Sequence, residues 1–172
     1  VKMTIRKLTS ADLAAFRAFR TEMCRRHPEA FGQTPEEVVG MTDEKLLDWF
    51  ASVDVFPQKF VLAAFEGDAL IGTVGFRRED ATKESHRGFV WTVYVQPEYR
   101  GRGLSKHLML QVIEDCRSFE GLESLFLTVA VTQVNARALY KSLGFVSVGQ
   151  IPDGYKLPDG SYVGLEQMML PL

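Results

Sequence analysis

The stretch that most constrains this chain is Val93 to Ser105, where an alternating apolar strand ending at Pro97 runs through Arg100-Gly101-Arg102-Gly103 into an apolar repeat of four at Leu104, Leu108, Val112 and Cys116. A period of two that turns into a helical period across two glycines commits the fold to a sheet with a helix packed on it. The first amides of such a helix have no intrahelical acceptor, and they carry the positive end of its dipole. The turn therefore reads as an anion site, and a diphosphate suits it. Gly101 and Gly103 let backbone approach phosphate oxygens, Ser105 is too small to obstruct them, and Arg100, Arg102 and Lys106 add local positive charge.

Rival readings of the turn are a plain surface loop, a dinucleotide fingerprint and a phosphate loop of the nucleotide triphosphatases. The second lacks its third glycine, because position 106 is lysine, and no acid closes the next strand near Val131. The third lacks Gly-Lys-Ser/Thr altogether. Nucleic-acid binding is weaker still: Arg-Gly-Arg-Gly occurs once, and a formal net charge of −2 offers no basic face to phosphate backbones.

With 172 residues, 46% of them hydrophobic and 24% charged, the chain has the make-up of one ordinary globular domain, expected over residues 3–172. The natural start is expected at Met3, with Val1 and Lys2 left out of the reading. Cys24 and Cys116 fall in helical segments and suggest neither a disulfide framework nor a metal site. No apolar window is long enough to span a membrane, and a cytoplasmic location is expected.

Along the chain, Met3 to Lys7 reads as a strand, followed by a helix after Thr9 or Ser10 that His27-Pro28 closes. Thr34-Pro35 and Thr42 open further helical pieces. Phe60 to Glu66 and Ala69 to Arg77 form a hairpin through Gly67-Asp68, and a third strand from about Gly88 alternates Phe89, Trp91, Val93 and Val95 on one face. After the glycine turn and its helix come a strand at Leu125 to Val131 and a helix from about Asn135 to Leu143 that Gly144 ends. Closing strands at Phe145 to Gly149 and Ser161 to Leu170 flank a loop with Asp153-Gly154 and Pro158-Asp159-Gly160. This is a mixed α/β (α+β) pattern.

Val93-Tyr94-Val95-x-Pro97-x-x-Arg100-Gly101-x-Gly103-Leu104 closely resembles the signature of the GNAT superfamily of acyl-CoA N-acyltransferases, and NARALYKSLGF at Asn135 to Phe145 resembles a second element of that family. Ser105 departs from the usual glycine or alanine. The element order of nearly the whole chain is similar to the family's, which implies a mostly antiparallel central sheet of about seven strands flanked by about four helices. HPEAFG and KESHRGFVWTVYV also look like an uncharacterised bacterial branch.

The resemblance implies acetyl-CoA as cosubstrate, no metal, and transfer of its acetyl group to a primary amine. Arg100, Gly101, Arg102, Gly103, Leu104, Ser105 and Lys106 would hold the pyrophosphate. Val93, Tyr94 and Val95 would pair through their backbone with the pantetheine arm, and Asn135 would contact that arm while capping its helix. Tyr140 would be the general acid that protonates the leaving thiolate, as well as a coenzyme contact. Many relatives carry Glu where this strand reads Phe89-Val90-Trp91-Thr92-Val93, so the base is sought at the strand's start, in His86 beside Glu84, or in ordered water. Phe31, Trp49, Phe50, Trp91 and Tyr155 are the aromatic candidates for the acceptor pocket, with Glu36, Glu37 and Asp153 as acids that would attract an amine. The partner is a small-molecule or peptide amine, and a homodimer is compatible with the pattern. The alternative is a non-catalytic acyl-CoA sensor on the same fold.

Overall fold

The computed structural model describes residues 2–53 and 55–172; Val1 lies outside them. Seven strands form one sheet in the order β1 (Met3–Lys7), β2 (Lys59–Glu66), β3 (Ala69–Arg78), β4 (Arg87–Val95), β5 (Ser124–Ala130), β7 (Tyr162–Pro171), β6 (Val146–Lys156). All neighbours are antiparallel except β4 and β5. The expected architecture is borne out, with five α-helices among the described residues where about four were expected: α1 (Leu13–Arg26), α2 (Pro35–Val39), α3 (Asp43–Val53), α4 (Leu104–Arg117) and α5 (Val134–Ser142). The extra one is α2, a short helix that Thr34, Pro35 and the Glu37 side chain cap.

The sheet separates two cores. The buried stripe of α4, with Leu104, Leu108, Met109, Val112, Ile113 and Cys116, packs on one face, where Tyr140 and Phe145 join it. Phe16, Phe19 and Met23 of α1 and Phe50 of α3 cover the other face. β2 is buried on both sides, which explains its unbroken apolar run Phe60-Val-Leu-Ala-Ala-Phe65.

Two expectations need correction. First, β4 does not alternate throughout. Its register against β3 shifts between Thr73 and Gly75, and Thr92 takes the left-handed value φ 48°. One extra residue flips the faces, so Trp91 and Tyr94 share the α1 side whereas Val90 and Val95 share the α4 side. The Thr73 hydroxyl donates to Thr92 O at 2.7 Å and secures the bulge. The Trp91 indole fits because Gly75 lies opposite, where a Cβ would sit 2.7 Å from the ring. Second, β6 extends to Lys156, well beyond Gly149. Asp153, with φ 51°, forms an irregularity inside that strand, and the loop expected there shrinks to the Pro158–Gly160 turn.

Among the described residues no helix is long and apolar enough to cross a membrane.

Candidate active site

Parallel pairing of β4 with β5 covers only Arg87–Phe89 against Ser124–Phe126, after which the strands part. Both then bound a cavity of about 840 Å³, lined by Phe89–Val95 on one side and Leu127–Val129 on the other. Each strand keeps its outer partner, β3 or β7, so the edges facing the gap carry peptide groups that the sheet leaves unmatched.

The glycine turn stands at the mouth of this gap. Gly101 and Gly103 hold φ values of 75° and 74°, and nothing lies within 4 Å of where a Cβ would project from either. The first backbone bond at this end of α4 runs from His107 N to Gly103 O, 2.9 Å, so the amides before it have no intrahelical acceptor. Arg100 reaches back, its Nε donating to Val95 O at 2.9 Å and its Nη2 to His27 Nε2 at 3.1 Å. Arg100, Gly101 and Ser105 line the cavity. Arg102 and Lys106 are exposed beside it and Leu104 anchors the helix in the core.

α5 forms the opposite wall with Asn135, Ala136, Leu139 and Tyr140. The buried Glu166 of β7 pins this helix: Arg137 Nε donates to its carboxylate at 2.5 Å, and that bond holds Glu166 below the usual carboxylate range. Tyr140 is 6% exposed, and burial pushes its phenol up from the ordinary value, so it is a neutral donor at physiological pH.

The segment between α1 and α2 roofs the cavity and is tied to both walls. His27 meets Arg100 as above, and Glu29 accepts from Gln133 Nε2 at 3.0 Å. Tyr155 reaches over from β6 to pack against Gly32, and Phe31 sits edge-on to Tyr94 at 5.7 Å. Burial and the neighbouring Arg100 hold His27 below the ordinary imidazole value.

Of the residues singled out in the sequence, Val93, Tyr94, Val95, Arg100, Gly101, Ser105, Asn135, Tyr140, Phe31, Trp91 and Tyr155 meet at this cavity. Trp49 does not: it stacks on Phe16 at 4.8 Å and meets Phe50 and Trp91 edge-on, as part of the core behind the site. Phe50 is 1% exposed in the same core. Glu36, Glu37 and Asp153 lie outside the lining. His86 is exposed at the start of β4, its carbonyl bonded to Glu123 N at 2.8 Å, and Glu84 pairs with Arg87. At about 3.3 Å per residue, His86 stands roughly 20 Å along the strand from Thr92. The structure therefore does not bring the expected base to the site. Sequence reading gave no site role to Arg20, His27, Gln33, Thr92 and Gln133, which line the cavity; His27 and Thr92 lie within HPEAFG and KESHRGFVWTVYV, whereas Arg20, Gln33 and Gln133 come from segments with no motif of their own.

The model of the acetyltransferase (GNAT) family matches residues 16–145. The mycothiol acetyltransferase of Segniliparus rotundus is 35% identical over 125 residues, covering 72% of this chain and 46% of that protein. The mycothiol acetyltransferase of Renibacterium salmoninarum is 30% identical over 136 residues, covering 78% and 37%. Among solved structures, the GNAT-family acetyltransferase from Streptococcus pneumoniae aligns at TM-score 0.87 and 22% identity over 99% of this chain and 100% of that one. Similarly, yncA from Salmonella typhimurium, solved with its cofactor acetyl-CoA, aligns at TM-score 0.82 and 23% identity over 100% and 95%. At these identities the two structures speak to the fold alone. The chain spans less than half the length of the first curated relatives it matches. The family match covers most of the sheet, the glycine turn and α5, and the chain belongs to the acetyltransferase (GNAT) family.

Proposed function

We propose that the chain is an acetyl-CoA-dependent N-acetyltransferase in which an acceptor amine attacks the thioester directly. The observation that carries this reading is the parting of β4 from β5 beyond Phe89 and Phe126, with the two-glycine turn at one side of the gap and Tyr140 at the other. The residues present fit the coenzyme: the open space above Gly101 and Gly103 admits a diphosphate against the first amides of α4, and the unmatched edge of β4 suits the pantetheine amides as an added strand would.

Acetyl-CoA supplies an acyl group activated as a thioester. The backbone of β4 around Thr92 and Val93, turned by the bulge, offers an amide to polarise the acetyl carbonyl. Tyr140 would donate its proton to the departing sulfur and recover one, through solvent, from the proton that the amine nitrogen loses on becoming the amide. A thiol near 8.5 and a phenol near 10 differ by about 2 kcal/mol in water, and burial disfavours phenolate and thiolate alike, so that gap is largely preserved in the site. Asn135, in the first turn of α5, faces the coenzyme arm.

Among the described residues no aspartate or glutamate lines the cavity, and the one histidine that does, His27, has its Nε2 against Arg100. The acceptor ammonium therefore gives up its proton to solvent rather than to a carboxylate. On this account His86→Ala leaves kcat/KM within about twofold of wild type; a tenfold loss would return His86 to the reaction.

The test of the function is calorimetric titration with acetyl-CoA, followed by thiol release on addition of a pooled amine library. Binding with turnover supports an N-acetyltransferase. Binding without turnover across broad pools would favour the acyl-CoA sensor, and no binding would defeat both readings.

A further inference from the structure

The charged side chains that line the cavity are of one sign, while the acid of the roof, Glu29, is engaged by Gln133. Among the described residues the cavity lining includes two guanidinium groups, Arg20 and Arg100, and no carboxylate. Arg100 belongs to the coenzyme turn. Arg20 does not: it comes from α1 and lies against the bulge, with Nη1 donating to Thr92 Oγ1 at 3.2 Å and Nε to Gln33 Oε1 at 2.7 Å. Both acceptors are neutral. The planar group sits 5.9 Å from the Trp91 ring and 6.0 Å from the Phe16 ring, which hold it in place.

Other arginines have acids of their own: Arg6 holds Asp12, Arg17 holds Asp43, Arg26 holds Glu98 and Arg137 holds Glu166. Among the described residues no carboxylate pairs with Arg20. A half-buried guanidinium stays charged and is costly to leave without a counter-charge, so its place beside the reacting centre calls for an anion from the ligand. Nε and Nη1 are engaged, which leaves the Nη2 hydrogens to bind a carboxylate, and Gln33, whose Oε1 is taken by Arg20, keeps its amide hydrogens to give.

We propose that the acceptor is a small amine bearing a carboxylate, of the amino-acid type, whose carboxylate binds Arg20 and Gln33 while its amine reaches the acetyl group at the Thr92 bulge. A cationic polyamine or a lysine side chain would meet Arg20 with like charge. The inference rests on the acetyltransferase reading, because it takes the bulge as the place of attack.

Matched triplets test it: an amino acid, its carboxamide and the decarboxylated amine, assayed by thiol release with the whole chain after acetyl-CoA binding has been confirmed by calorimetry. Wild type is expected to use the acid over its amide, and Arg20→Met is expected to lower kcat/KM for the acid by about 10- to 100-fold with little change for the amide, the range for a charge-assisted hydrogen bond. Comparing the acid-to-amide ratio between proteins cancels differences in amine pKa. A second variant, Gln33→Glu, gives Arg20 an internal carboxylate and should depress the same ratio without removing the guanidinium. Turnover with equal use of acid and amide, or a ratio unmoved by both variants, would overturn the proposal, as would acetyl-CoA binding with no triplet turned over. Failure to bind acetyl-CoA would instead sink the underlying function.

Discussion

Replacing Tyr140 by phenylalanine is expected to lower kcat for acetyl transfer by about 100-fold or more while acetyl-CoA affinity changes by less than about threefold, since general acids contribute on the order of 10² to 10⁴ in rate. The substitution removes one oxygen and keeps the ring that packs against Phe145 at 6.0 Å. α5 remains fixed through Arg137 and Glu166, so the fold should hold. A shift in thermal midpoint below about 3 °C, equivalent to roughly 1 kcal/mol for a chain of this size, would separate lost chemistry from lost structure. The loss should shrink with thioesters of more acidic thiols, whose thiolates leave without a proton. If Tyr140→Phe retains most of its kcat with acetyl-CoA, the acid lies elsewhere.

The second large effect is expected at the turn. Gly103→Val should weaken coenzyme binding by more than about 100-fold, measured by calorimetry. Gly103 holds φ 74°, where a β-branched residue is strained by about 1–3 kcal/mol, and the valine side chain would project into the open space that the diphosphate needs. Losing two charge-assisted hydrogen bonds to phosphate, each worth about 1.5–3 kcal/mol, accounts for that weakening. Gly160→Val is the control. Its φ of 87° brings the same left-handed strain at an exposed turn outside the cavity lining, and its coenzyme affinity should match wild type. If Gly103→Val binds acetyl-CoA within threefold of wild type, the turn does not hold the diphosphate.

How much of this was legible in the sequence depends on how local each feature is. The turn at Arg100 to Ser105 and the helix carrying Asn135 and Tyr140 are contiguous, and their glycines, apolar spacing and helix boundaries stand in the order of the residues. The bulge in β4 is different. Thr92 is an ordinary β-former by propensity, and only the register against β3, the Thr73 hydroxyl and the space over Gly75 explain why it turns to φ 48° and puts Trp91 and Val95 on opposite faces. Trp49 reads in the sequence as a pocket candidate whose commoner role is core packing, and its contacts with Phe16 and Phe50 decided for core. His86 has the right chemistry for a base in the wrong place, at the start of the strand whose other end bounds the site.

Read by itself, the sequence determined the fold class, the family resemblance and the two-glycine turn proposed to hold the diphosphate, because glycine conformations and helix-terminal amides are properties of neighbouring residues. Only the tertiary structure decided which groups surround the acceptor. A cavity's charge is a sum over side chains that different segments bring together, and here α1, the roof after it, β4 and β5 supply Arg20, Gln33 and Thr92 with no acid among them.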